Sequence, residues 1–467
     1  MQKQESYTLE KGEATQEFDD DGQIKRTGTW MSASAHIITA VVGSGVLSLT
    51  WCLAQLGWIF GSFLLVVFAV ISWYTCTLLT NCYRSPHPVT GARNYNYMQA
   101  VKTNLGGRQY IICAIAQYGT LIGVSIGYTI TSSISMGAIK RSNCFKKYGH
   151  DKGCHTLNSP FLLIVACIEL VLSQLPNFHK LSFLSIIAAI MSFVYSTIGM
   201  GLSIAKIAGA GLPKTSIGMP TREDVSSKDK TWDIFCAIGD IAFAYGFADV
   251  LVEIQDTLKS NPPEHKVMKT ATTVGISAST LFYMLCGLLG YAAFGNDAPG
   301  NYLTGFGFYD PFWLVDIANL CIAIHLLGAY QVIMQPVFGF IENWSRRKWP
   351  ERRFINKEYA IGYFRINLFR LTWRSTYVIL ATLVAMMFPF FNAFLALIGS
   401  TTFWPLTVYF PIEMYIVQAK IRRNSFRWIW LRALSLVCLL VSCLAAAASI
   451  RGLVGSVQTS KLFLSVS

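Results

Sequence analysis

Between Thr27 and Tyr83 the chain places no Asp, Glu, Lys or Arg. A helix crosses the hydrocarbon of a bilayer in about 20 apolar residues, so this run has room for two spans, with the turn expected near Gly57. Other charge-poor runs predict one span each over 109–139, 159–176, 181–207, 232–257, 269–294 and 312–341. The run from Ser375 to Ile412 has room for two shorter spans joined at the "PFFN" of 389–392, and a last span is expected near 428–450. The pattern predicts an all-α polytopic membrane protein with about eleven transmembrane helices.

Composition agrees: 53% of the 467 residues are hydrophobic and 13% charged, with a mean hydropathy of +0.43. A soluble multi-domain chain of this length rarely combines those values. Residues 1–26 are polar and carry Glu17, Asp19, Asp20 and Asp21, so they read as a disordered acidic cytosolic tail rather than a cleavable signal. The net charge of +13 would suggest nucleic acid in a soluble protein, but here Lys and Arg gather between the spans, where topology accounts for them.

With the N-terminus inside, the basic loops at 83–108, 342–374 and 418–427 fall on the cytosolic side, as the positive-inside rule asks. The loop at 140–158 runs against the rule, because it carries Lys140, Arg141, Lys146, Lys147 and Lys152 yet parity places it outside. It also holds Cys144 and Cys154, for which an external placement makes a disulfide possible and a cytosolic one keeps both thiols reduced. The expected organisation is a tail at 1–26, spans 1–5 over 27–207, an extracellular loop at 208–231, spans 6–10 over 232–417, and an eleventh span with a short extracellular C-terminus over 418–467.

Span 1 opens "GTWMSASAHIITAVVGSGVLSL" and span 6 opens "KTWDIFCAIGDIAFAYGFADVL". Setting Thr29-Trp30 on Thr231-Trp232 takes a shift of 202 residues and lays Gly43-Ser44-Gly45 over Tyr245-Gly246-Phe247. Five spans separate the two, so they enter the membrane in opposite orientations. An inverted 5+5 repeat plus one extra helix, interrupted at matching positions, points to a secondary transporter with a site at mid-membrane.

Glycine permits backbone that a helix forbids, and an unwound segment frees N–H and C=O groups that lipid cannot satisfy. A small ligand that is anionic at one end and cationic at the other suits such a site, and the zwitterion of an α-amino acid has that form. The substrate-binding candidates are Gly43, Ser44, Gly45 and Val46 in the first interruption, and Phe243, Ala244, Tyr245 and Gly246 in the second. Tyr118 of span 3 is a candidate gate, as are Phe243 and Tyr245. The competing reading is that Gly43 and Gly45 only let helices pack closely.

Three stretches carry a family likeness: "WMSASAHIITAVVGSGVLSLTWCLAQLGW" (30–58), "AFAYGFADVLVEIQDTL" (242–258) and "HLLGAYQVIMQPVF" (325–338). They resemble the plant amino acid permeases of the amino acid/auxin permease family, and the likeness runs over essentially the whole chain. It implies a LeuT-type fold and proton-coupled uptake of neutral and often acidic amino acids across the plasma membrane. It also implies that the substrate carboxylate meets Gly43, Ser44 and Gly45, and the amino group Phe243, Ala244 and Tyr245. Thr50 and Cys52 stand where relatives more often have small residues, which leaves the substrate range open.

Proton coupling requires a titratable group at membrane depth, and few are available. His36 lies two turns before the first interruption and His325 in mid-span 8; histidine titrates near pH 6.5 when unperturbed, between an acidic exterior and a neutral cytosol. Asp249, Glu253 and Asp256 follow the second interruption at i, i+4 and i+7, on one helical face, and Asp240 precedes it. Glu169 and Asp316 read as structural.

No cofactor or metal is expected; the coupling ion is H⁺ and the partners are an amino acid and the lipid bilayer, with no nucleic acid and an open oligomeric state. An enzyme reading lacks parts, since no H-E-x-x-H, G-x-S-x-G, Walker A or paired C-x-x-C occurs. A channel or receptor needs no paired broken helices. The alternatives within transporters are an auxin or indole-acid symporter and a sodium-coupled amino acid carrier.

Overall fold

The computed structural model describes residues 18–23, 25–149, 154, 156–174, 178–220, 227–304, 311–361, 364–388 and 390–459. The first helix, α1 (Trp30–Val41), starts at a capping box in which Thr29 and Ser32 exchange backbone and side-chain hydrogen bonds. It stops at Val42. A short 3₁₀ turn (Ser44–Leu47) follows, and α2 (Leu49–Leu56) resumes the path. Gly57, at φ +76°, then reverses the chain into α3 (Trp58–Leu79), which puts the turn where the hydrophobic pattern expects it.

A two-residue ladder, β1 (Arg84–Ser85) with β2 (Ala92–Arg93), and the amphipathic α4 (Tyr97–Leu105) lead to α5 (Gly107–Tyr148). Next come α6 (Ser159–Leu172), α7 (Phe178–Ala210) and α8 (Ser227–Ala244), and α8 also breaks off. A 3₁₀ turn (Ala248–Val250) joins it to α9 (Leu251–Gln255), before α10 (Glu264–Phe294) and α11 (Phe312–Lys348). A four-residue helix α12 (Arg353–Asn356) and a hairpin, β3 (Glu358–Ile361) with β4 (Phe364–Asn367), precede α13 (Leu368–Met387). The α14 helix (Phe391–Thr402) loosens into a π-helical turn over Phe403–Tyr409, which contains Pro405, and re-forms as α15 (Phe410–Gln418) before the last helix, α16 (Phe426–Thr459).

Eight helical segments among the described residues are long and apolar enough to cross a membrane. The other three expected spans fall on the interrupted pair α1/α2, on the 14-residue α6 and on α13. Several helices outrun the apolar pattern: α5 continues to Tyr148 and α11 through Arg346, Arg347 and Lys348, cations that suit a helix C-terminus. Cys144, near the end of α5, is disulfide-bonded to Cys154.

Glycine sets the closest packing at the centre. A Cβ at Gly399 of α14 would overlap the backbone of α8 at Gly239 and Phe243, so these two helices meet without a side chain between them.

The acidic segment expected as a disordered tail is docked where it is described; residues 1–17 and 24, Glu17 among them, lie outside the described residues. Arg26 pairs with Asp19, Asp21 and Asp256, at 2.9–3.0 Å. Arg84 pairs with Asp20 at 2.9 Å and Glu264 at 2.7 Å, and Arg93 reaches Asp20, Asp21 and Glu264. A parallel bridge between Gly28 and Leu258 completes this strap, with Gly28 N–H donating to Thr257 O at 2.9 Å. The hydrogen bond from Arg84 outweighs burial and, with the Arg93 charge, holds the Asp20 carboxyl below the usual carboxylate range.

Candidate functional site

The two helix interruptions border one cavity of about 500 Å³. Gly43, Ser44 and Gly45 line it from one side and Phe243, Ala244 and Gly246 from the other, so six of the proposed substrate contacts are brought together. α5 contributes Thr120, Leu121, Val124 and Tyr128, and α11 contributes His325, Val332 and Ile333. At one end of the lining His36, Ala40 and Thr257 are exposed, while on the far side of the first interruption Tyr302 is buried and its N–H donates to Leu47 O at 3.3 Å.

The first interruption leaves polarity unused. Gly43 N–H donates to Val41 O at 2.9 Å, but the N–H groups of Ser44 and Gly45 and the buried Ser44 hydroxyl have no hydrogen-bond partner among the described residues. Buried groups of this kind are normally paired, and each unmet donor costs about 1–3 kcal/mol. An anion at this position would complete them.

At the second interruption the protein meets three of the freed carbonyls. Phe243 O accepts from Gly246 N–H at 3.1 Å and Ala244 O from the Tyr283 hydroxyl at 3.1 Å. Tyr245 O accepts from Phe247 N–H at 3.2 Å and from the Ser72 hydroxyl at 3.4 Å. The Tyr283 hydroxyl is also within reach of Val41 O, the last carbonyl of α1, and its one hydrogen serves either carbonyl in turn.

Gly45 serves packing and the cavity together: a Cβ there would lie 3.0 Å from Ala244 Cα, closer than such contacts ordinarily come. At Gly43 a Cβ would meet only His325 Nε2, at 3.8 Å. His325 is buried, and its Nδ1 lies 2.6 Å from Ala188 O. A carbonyl only accepts, so Nδ1 carries the hydrogen, which leaves Nε2 as an acceptor with no partner among the described residues.

His36, Asp249 and Glu253 also line the cavity. Glu253 Oε1 accepts from Tyr97 N–H at 3.1 Å, and Oε2 has no partner among the described residues. The expected stripe of three carboxylates is divided, because Asp249 sits in a 3₁₀ turn, Glu253 in α9, and Asp256 beyond the helix end, where it pairs with Arg26. Asp240 lies away from the cavity lining, fully buried, with Cys52 Sγ 3.9 Å from its Oδ2.

Three proposed contacts are absent from the lining. Val46 is buried within the 3₁₀ turn. Tyr245 turns its ring onto Tyr283 and its hydroxyl to Thr280 at 3.2 Å. Tyr118 sits a turn beyond Leu121 on α5, where it packs on Phe340 with ring centroids 5.0 Å apart; Tyr128 lines the cavity from that helix instead. Residue reading also missed Tyr283, although a hydroxyl inside an apolar span, which must find a partner there, was a usable signal.

The family model described as "Transmembrane amino acid transporter protein" matches residues 26–454. The chain is 58% identical to amino acid permease 6 of Arabidopsis thaliana over 99% of both chains. It is 57% identical to amino acid permease 1 of the same plant over 98% of this chain and 96% of the relative, and 58% identical to amino acid permease 8 over 97% of each.

Proposed function

The chain belongs to the transmembrane amino acid transporter family, and on that premise we propose that it is a proton-coupled symporter importing amino acids across the plasma membrane by alternating access. The observation that carries the reading is the unused polarity of the first interruption, facing the second across one cavity. The substrate carboxylate takes the Ser44 and Gly45 N–H groups and the Ser44 hydroxyl. The ammonium takes carbonyl lone pairs, including the one left on Phe243 O, which has a single partner. Leu121, Val124 and Ile333 offer an apolar wall to a neutral side chain.

A LeuT-type inverted repeat is supported by the register of the interruptions: α1 ends at Val41 and α8 at Ala244, 203 residues later, against an alignment shift of 202. With the N-terminus cytosolic and the C-terminus extracellular, the exposed end at His36 and Thr257 is the cytosolic mouth. His325, His36, Asp249 and Glu253 border the substrate and are the candidates to carry the proton; Asp240 stands behind the wall. The names of the relatives favour amino acids over auxin.

The test is uptake of labelled amino acids in a cell lacking its own permeases, with external pH and sodium varied separately. Uptake that rises with acidity and ignores sodium is expected. Dependence on sodium without dependence on pH would end the proton assignment, and competition by indole acetate but by no amino acid would end the substrate assignment.

A further inference from the structure

Tyr283 is fully buried on α10, and its hydroxyl reaches two carbonyls that belong to different broken helices. One is Val41 O, at the end of α1, and the other is Ala244 O, at the end of α8. A phenol carries one hydrogen and serves one of these acceptors at a time. Its ring is fixed by an edge contact with Tyr245, centroids 5.4 Å apart, and the Tyr245 hydroxyl is tied to Thr280, three residues before Tyr283 on the same helix. The same helix follows α1 further down, where the Ser34 hydroxyl reaches Ala271 O at 3.3 Å and Gly275 lies against Ile37. Thus α10 touches both interruptions through two tyrosine rings and one shared hydrogen.

We propose that Tyr283 is a positioning residue that couples the two interruptions. It sets the spacing between the unpartnered N–H groups of Ser44 and Gly45 and the facing wall of Phe243 and Ala244, so that one small ligand meets both. It touches no substrate, since it is absent from the cavity lining. The role of the spacing rests on the carrier reading above; the tie itself does not.

The test is Tyr283→Phe in the full chain, which keeps the ring and removes the hydroxyl, with Tyr291→Phe as the control. Tyr291 is a second buried tyrosine on α10, and its hydroxyl donates to Asn296 Oδ1 at 2.7 Å, away from both interruptions. Amide hydrogen exchange of the purified proteins is read over 38–48 and 240–250. Tyr283→Phe is expected to speed exchange in both segments together, by about five- to tenfold, the worth of one neutral hydrogen bond. Tyr291→Phe is expected to change neither.

In uptake, KM is expected to rise by a similar factor for Tyr283→Phe while the maximal rate per molecule at the surface holds; a purely structural loss would lower surface level instead and leave KM unmoved. Unchanged exchange, a change in only one segment, or an equal effect from Tyr291→Phe would overturn the proposal. Coupled exchange in a wild-type protein that takes up no amino acid would leave the tie standing and remove the carrier reading. If the Phe variant fails to fold, 3-fluorotyrosine at 283 carries the test with the opposite sign, since its more acidic hydroxyl binds carbonyls more strongly and exchange in both segments must fall.

Discussion

The two helix interruptions have similar backbone form and differ in which freed groups the protein meets. Around Tyr245 the freed carbonyls are met by Tyr283, Ser72 and nearby N–H groups, whereas around Ser44 two N–H groups and a hydroxyl are left over. Unwinding a helix in a membrane is tolerated only where something polar takes the freed groups. At the second interruption the protein supplies it for the carbonyls. At the first, the Ser44 and Gly45 N–H groups and the Ser44 hydroxyl border the cavity with no partner among the described residues.

The sharpest way to break this contrast is Gly45→Leu, because its side chain has to enter the space held by Ala244. Uptake is expected to vanish while surface biotinylation tells whether the protein still arrives. That result alone does not separate packing from binding, since Gly45 serves both. Gly43→Ala does separate them: the new methyl meets only His325 Nε2. KM for the amino acid is expected to rise about tenfold, about 1.4 kcal/mol, with thermal stability unchanged. An unchanged KM would assign the first interruption to packing.

Ser72→Ala probes the other side. Tyr245 O keeps its bond from Phe247, so the loss is about 0.5–1.5 kcal/mol, the net worth of one hydrogen bond. The melting temperature is expected to fall by about one degree and KM to stay. A shift in KM without loss of stability would mean that the second interruption also meets the ligand directly.

The smallest effect lies outside the membrane. Asp20 is held below its ordinary carboxylate range by Arg84, so the strap gains stability that is fully present above about pH 4 and is lost as pH falls through the lowered value. Protection from hydrogen exchange over 18–28, taken relative to the unstructured amide at each pH, is expected to fall below that range and to stay level between pH 5 and 8. Loss of protection already at pH 6 would show that Asp20 is not what holds the segment.

Charge-poor apolar runs made the helices and the Gly57 reversal legible, because lipid imposes its demand residue by residue, while glycines and the 202-residue repeat marked both interruptions. It misplaced the ends of α5 and α11, since a helix whose last turn carries Arg346, Arg347 and Lys348 continues into water past the point where the apolar signal stops. Within the site, glycine marked the backbone vacancy but not the partners. Tyr283 answers Val41 from 242 residues away, and Asp256 left its expected stripe for Arg26, 230 residues distant. Contacts of that range leave no local pattern. Tyr118 failed for a smaller reason: one helical turn along α5 separates the cavity from its neighbour Phe340.

The strap also has a history in time. Arg26 leaves the ribosome well before its partner Asp256, which is 230 residues behind. At about 5–20 residues per second the charges wait on the order of ten to fifty seconds. During that interval the first helices insert with Arg26 matched only by nearby Asp19 and Asp21. The ring of ion pairs closes only when α9 and the start of α10 have been made, so its formation reports that the two halves of the chain have met.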